Sequence, residues 1–175
     1  KKYNSISIEN IVNQIKIARK DGASFCVITG GEPLHHNLDN FCKAIKKATM
    51  GDKEKSIKIH IETSGVNAIS GIYDWITLSP KRHYPPKNYF LKNCNEIKII
   101  INDNKDLEFA KEIRKEIISK FKSPSLNNNS NKPNKLYYLQ PAWNNEKGSS
   151  LAIDFVKNNP EWNLSLQTHK YLKIK

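Results

Sequence analysis

The run Phe25-Cys26-Val27-Ile28, followed at once by Thr29-Gly30-Gly31-Glu32-Pro33, decides how this chain is read. A short apolar run closed by polar residues and glycine has the length and composition of a buried strand and its exit. Two adjacent glycines accept backbone angles that a Cβ resists, and they let a ligand approach the main chain closely. Glu32 sets a carboxylate at the mouth of the strand, able to receive an ammonium or a hydroxyl, and Pro33 stiffens the exit by fixing φ. The stretch predicts a turn that holds a small cationic or polar ligand.

Upstream, Ile8, Ile11, Val12, Ile15 and Ala18 follow helical spacing, with Ser7 as N-cap and Gly22 as the stop. Downstream of the strand at 24–29, residues 37–50 predict a helix carrying Leu38, Phe41, Cys42, Ile45 and Ala48 on one side. Strands follow at 57–61, 75–78 and 96–101, the last leading into a helix that uses Leu107, Ala110, Ile113 and Ile117. Residues 123–135, rich in Asn, Ser and Pro, predict a flexible surface loop. A strand at 136–139, a helix at 148–158 and a short strand at 164–166 complete the alternation, and no internal repeat is visible. Strands alternating with helices imply an α/β protein with mainly parallel strands.

In parallel α/β folds ligands lie beyond the carboxyl ends of the strands, where the exit loops meet. The exits here are Thr29-Gly30-Gly31-Glu32-Pro33, Glu62-Thr63-Ser64-Gly65, Ser79-Pro80-Lys81, Gln140-Pro141 and Gln167-Thr168-His169-Lys170. Any one of them is an ordinary set of turn formers. That all are polar points to a shared ligand face.

The chain has 175 residues, enough for one domain with a substantial core, and a net charge of +12. A basic balance suits nucleic-acid binding, but the lysines are scattered, the only arginines are Arg19, Arg82 and Arg114, and apart from Arg82-His83-Tyr84 no basic stripe is interleaved with aromatics. The charge is therefore assigned to solubility and steering of anionic small molecules rather than to nucleic acid. No apolar run approaches the ~18 residues of a membrane helix and no signal-peptide pattern is visible, so a cytoplasmic protein is the expectation. Cys26, Cys42 and Cys94 are too far apart for a compact metal-ligand spacing. Cys26 should face the core from its strand, Cys42 should lie on a helix, and Cys94 falls in a loop.

Residues 28–34, Ile-Thr-Gly-Gly-Glu-Pro-Leu, resemble the signature that follows the second barrel strand in the radical S-adenosylmethionine superfamily. Taken with the exits at 62–65, 79–81 and 139–141 and the closing run at 164–171, Leu-Ser-Leu-Gln-Thr-His-Lys-Tyr, the chain resembles the 7-carboxy-7-deazaguanine synthase family over nearly its whole length. The resemblance implies a single domain over 1–175, a partial, open (β/α) barrel. It also implies the ring contraction of 6-carboxy-5,6,7,8-tetrahydropterin to 7-carboxy-7-deazaguanine, with loss of ammonia, in queuosine and deazapurine biosynthesis. S-adenosylmethionine, a 4Fe-4S cluster and Mg2+ are the implied cofactors. A flavodoxin-type electron donor and a homodimer are the implied partners.

Carried over position by position, the resemblance sets Gly30, Gly31 and Glu32 at the methionine end of the cofactor and Thr29 toward the substrate. Ser79, Pro80 and Lys81 correspond to a segment meeting its ribose and carboxylate, although Lys81 alone is equally a solvated lysine. Gln140, Pro141, Ala142 and Trp143 match a segment at the adenosine end, where Trp143 is also open to a packing role. Gln167 and His169 match substrate-reading positions, His169 serving equally as a structural hydrogen-bonder. Lys98, between Ile97 and Ile99, needs an acidic or ligand partner if it points inward.

The family's cysteine triplet and its adjoining threonine are missing from these residues. The sequence is accordingly expected to start after the cluster loop, and the stretch by itself to be inactive, with no catalytic or metal residue assigned. Three other readings stay open: another radical S-adenosylmethionine enzyme such as a glycyl-radical activating enzyme, a non-enzymatic nucleoside-binding remnant, and a basic nucleic-acid binder.

Overall fold

The computed structural model describes residues 5–51, 56–121 and 135–173. Its described strands lie side by side in chain order, and the pairings described are all parallel. This is the open, parallel α/β class that the alternation predicts. The loop expected at 123–135 lies outside the described residues except for Lys135. The chain divides into two compact units, Lys1–Thr63 with Asn67–Ile76, and Ser64–Val66 with Thr77–Lys175.

In the first unit α1 (Ile8–Lys20) begins at Ser7, whose hydroxyl accepts the Asn10 N–H at 3.2 Å. The cap satisfies one of the donors that a helix start leaves open. Strand β1 (Phe25–Ile28) pairs with β2 (Lys58–Thr63) from Phe25↔Lys58 to Ile28↔Ile61. Cys26 and Ile28 on β1 pack toward a core of Val12, Cys42, Ile45, Ile57 and Ile59 shared with α1 and α2 (Asp39–Thr49). Alternation sends Phe25 and Val27 to the other face, both about half exposed, where Phe25 stacks on His60 with centroids 4.6 Å apart. Thr49 closes α2 by donating to Ile45 O and accepting the Ile57 N–H, so a buried hydroxyl ties the helix end to the approach of β2. Asp74, just before β3 (Trp75–Leu78), accepts from the Ile59 N–H at 2.8 Å and from Lys46 Nζ at 2.6 Å.

The second unit is built on β4 (Glu96–Ile101), whose Ile97, Ile99 and Ile101 are almost wholly buried. Each such side chain stabilises the fold by roughly 1.5–3 kcal/mol relative to exposure. Leu107, Ala110, Ile113 and Ile117 of α4 (Asn104–Phe121) form the buried helical stripe that the spacing predicts. Strand β5 (Leu136–Pro141) runs beside β4 from Glu96↔Leu136 to Ile101↔Pro141, and β6 (Asn163–Leu164) beside β5. Lys98 alternates with the buried isoleucines and registers with Tyr138. Helix α5 (Glu146–Asn158) comes so close to β4 that a Cβ on Gly148 would lie 2.3 Å from Ile101 O.

Three elements go beyond the expected set. Pro33–His35 forms a 3-10 turn directly after the glycines, and α3 (Asn88–Asn93) buries Phe90 and Leu91 completely behind the Pro85-Pro86 pair. The run expected to be a strand at 164–166 is shorter, and Thr168–Tyr171 is a four-residue helix, α6. Cys94, expected in a loop, is the C-cap of α3 and is buried, and burial pushes its thiol pKa up.

Candidate functional site

At the exit of β1 the chain turns through Gly30 (φ +93°) and Gly31 (φ +54°), both in the region that L side chains resist. A Cβ built on either glycine meets no atom within 4 Å. The neighbouring packing therefore leaves this surface open, and the backbone angles are what favour glycine. Thr29 is exposed beside it.

Glu32 then caps the 3-10 turn. Its Oε1 accepts the Leu34 N–H at 3.1 Å and the Thr63 hydroxyl at 2.6 Å. Thr63, at the last position of β2, is only 2% exposed, so the hydroxyl that orients the carboxylate is held by the strand itself. The exits of β1 and β2 thus meet at one oxygen. Glu32 and its glycines are legible in the sequence as a motif, and Thr63 only as part of a polar exit.

In the second unit Ser79 and Pro80 are buried at the exit of β3, while Lys81 is exposed and donates to Ser79 Oγ at 3.3 Å. Lys81 and Tyr84 form a one-bridge hairpin. The exits of β5 and β6 face a cavity of about 600 Å3, lined by Pro141, Ala142 and Trp143 on one side and Ser165 and Gln167 on the other. Gln140 lies beneath it, 9% exposed, and accepts from the Ser165 hydroxyl at 3.5 Å. Tyr171 meets Trp143 edge to face at 5.0 Å, and the Lys170 ammonium lies 5.1 Å from the Trp143 ring centre. The structure brings Gln167 into this cavity, whereas His169 is exposed on α6 and is not part of its lining.

The β4 exit, which carries no sequence signature, is dense with bonds. Asp106 accepts from the Asn102 N–H, and Asn145 at the head of α5 donates to Asn102 O at 3.3 Å. Arg82, next to Lys81, reaches Asp106 Oδ1 at 3.1 Å and Asp103 Oδ1 at 3.5 Å. Sequence reasoning missed Arg82, Asn102, Asp106, Asn145 and Tyr171. The only signal for them is the Asn-Asp-Asn turn chemistry at 102–104.

In the first unit open glycines and an anchored carboxylate, and in the second a polar cavity, lie at carboxyl ends of parallel strands, the ends at which α/β proteins bind ligands. No family model matches the chain. It is 44% identical over 98% of its length to 7-carboxy-7-deazaguanine synthase of Prochlorococcus marinus, covering 77% of that protein. It is 34% identical over 97% of its length to the Synechocystis enzyme of the same name, covering 70% of it. The crystal structure of QueE from Escherichia coli superposes with a TM-score of 0.66 at 27% identity, over 93% of this chain and 64% of that one. The chain belongs to the 7-carboxy-7-deazaguanine synthase family, whose members are radical S-adenosylmethionine enzymes of queuosine biosynthesis.

Membership implies S-adenosylmethionine and a 4Fe-4S cluster. The open glycine turn with its carboxylate fits the amino-acid end of the first. The cluster has no such fit among the described residues. Cys26 is half-buried on β1, Cys42 is buried on α2, Cys94 is buried after α3, and no group of three His, Cys, Asp or Glu could hold a metal ion. Also among the described residues, no helix is long and apolar enough to cross a membrane.

Proposed function

We propose that this chain supplies the binding face on which 6-carboxy-5,6,7,8-tetrahydropterin is contracted to 7-carboxy-7-deazaguanine with loss of ammonia, a carbon-nitrogen lyase reaction. The observation that carries the reading is the turn at Gly30 and Gly31, open to solvent and followed by a carboxylate that Thr63 holds in place. S-adenosylmethionine, when bound, supplies the radical chemistry, and the protein supplies placement.

In this reading the Gly30 and Gly31 backbone and the Glu32 carboxylate receive the methionine end of the cofactor, a charge-assisted contact with its ammonium. Lys81, steadied by Ser79 and Pro80, meets the cofactor's carboxylate and ribose. Gln140, Pro141, Ala142 and Trp143 take the adenosine, with the aromatic ring offering a stacking face. Thr29, Gln167 and His169 read the pterin, His169 from its exposed place on α6. Mg2+, an external one-electron donor such as flavodoxin, and a homodimer complete the reading. Since the three cysteines are dispersed, the 175-residue stretch on its own binds but does not turn over.

Calorimetric titration of the chain with S-adenosylmethionine tests this. Saturable binding that Glu32→Gln and Gly31→Val each weaken at least tenfold, about 1.4 kcal/mol, supports it. Binding that neither substitution changes contradicts it.

A further inference from the structure

Three exits in the second unit are joined by side chains that no motif contains. Arg82 follows directly on Lys81, and its guanidinium Nη1 donates to Asp106 Oδ1 at 3.1 Å and to Asp103 Oδ1 at 3.5 Å. Asp106 is 13% exposed in its side chain, so this is a largely buried anchor for a one-third-exposed arginine. The other oxygen of the same carboxylate accepts the Asn102 N–H at 2.9 Å, the Asn102 side-chain amide at 3.2 Å and the Asp103 N–H at 3.3 Å. Asn102 O in turn accepts from Asn145 Nδ2 at 3.3 Å, and Asn145 Oδ1 takes the Gly148 N–H at 2.8 Å as the N-cap of α5. The Ala142 N–H donates to Ile101 O at 3.0 Å, one residue away.

The path Arg82, Asp106, Asn102, Asn145 thus runs from the exit of β3 across the exit of β4 to the exit of β5. Its two ends adjoin the segments Ser79–Lys81 and Gln140–Trp143. The loops themselves add few ties: Lys81 has the bridge to Tyr84, which is itself 68% exposed, and the bond to Ser79 Oγ at 3.3 Å, while Asn144 sits at φ +54°, strained for a side-chain residue. A connected hydrogen-bond path of this kind sets geometry, because each member is oriented by its neighbours.

We propose that Asp106 and Arg82 are positioning residues that hold the Ser79–Lys81 and Gln140–Trp143 segments in one frame for the cofactor. The inference rests on the reading of those segments given above. Both carboxylates are met by the one Nη1, so a lysine ammonium can replace part of the contact, as a point charge. Asp106 has a second task as the acceptor that closes the first turn of α4, so Asp106→Asn keeps an acceptor while removing the charge that Arg82 meets.

The test is calorimetric titration of the full chain with S-adenosylmethionine, alongside urea denaturation, for wild type, Arg82→Ala, Arg82→Lys, Asp106→Asn, the Arg82→Ala/Asp106→Asn double variant and Lys81→Ala. The expected result is affinity weakened about fivefold in Arg82→Ala with the urea midpoint almost unmoved, since exposed ion pairs contribute little to stability. Arg82→Lys recovers part of the loss, and the double variant is no worse than Arg82→Ala alone, as members of one path are not additive. Unchanged affinity in Arg82→Ala while Lys81→Ala weakens binding overturns the positioning role and leaves the site reading intact. Unchanged affinity in both overturns the two together, as does a wild-type chain that does not bind. A fall in the urea midpoint that accounts for the lost affinity makes Arg82 a stability residue only and overturns the proposal.

Discussion

The Thr63 hydroxyl donates to Glu32 Oε1 at 2.6 Å across 31 positions of sequence, joining the mouths of two neighbouring strands at the carboxylate beside the glycine turn. A side chain with several rotamers is thereby held in one.

Thr63→Val keeps the shape of the buried residue and removes the donor. The expected loss is about 1–2 kcal/mol of stability, because the carboxylate loses a charge-assisted bond. S-adenosylmethionine affinity falls with it, and Thr63→Ser restores both. Urea denaturation and titration calorimetry on the three proteins check this, and equal stability of Thr63→Val and wild type counts against the contact.

Gly148→Ala forces a methyl group against Ile101 O, which a Cβ would approach to 2.3 Å. Both partners are backbone or helix and cannot swing away. The first turn of α5 must shift, at a cost of roughly 1–3 kcal/mol. A lowered urea midpoint with weaker cofactor binding is the expected outcome.

Stability of the first unit should fall with pH in two steps. His60 has its pKa lowered from 6.5, first by burial and then by Lys58, against a raising influence from Asp74. Burial raises Asp74, but the Lys46 and Ile59 hydrogen bonds and the Lys46 and His60 charges outweigh it and leave its pKa below 3.8. For both groups the unfolded chain binds the proton more readily. Their contributions are therefore whole above the ordinary values and are lost as pH falls, for His60 below 6.5 and for Asp74 below 3.8. His60→Gln should flatten the upper step and Asp74→Asn the lower one in urea midpoints recorded from about pH 8 to pH 3. The Asp74 step is small because its carboxylate is 40% exposed. A midpoint that stays level over that range contradicts the assignment.

Trp143→Ala removes the ring that both Tyr171 and Lys170 contact, and α6 buries no residue of its own. Trypsin should then cut after Lys170 faster than in wild type, while cleavage within α4 is unchanged. Equal rates at Lys170 would show that α6 is held by something else.

The fold was legible wherever period and punctuation agreed. Ile97, Ile99 and Ile101 alternate, and Leu107, Ala110, Ile113 and Ile117 recur at helical spacing, so β4 and α4 follow from the pattern alone. Helix α3 was not legible, since Tyr-Pro-Pro at 84–86 reads as a loop and two buried side chains in six residues make no period. The glycine turn announces itself because Gly-Gly-Glu-Pro as a run closes an apolar strand directly, although its glycines and proline are each ordinary turn formers. Thr63 and Asp106 do not, since what they do depends on partners 31 and 24 positions away that only the folded chain brings into reach.

The most direct measurement is an amide 1H–15N correlation spectrum of the chain titrated with S-adenosylmethionine. The account predicts that the Gly30 and Gly31 amides shift in step with saturation, together with the Lys81 and Trp143 amides, and that Glu32→Gln weakens the titration. Saturable binding that leaves the Gly30 and Gly31 amides unmoved would contradict it.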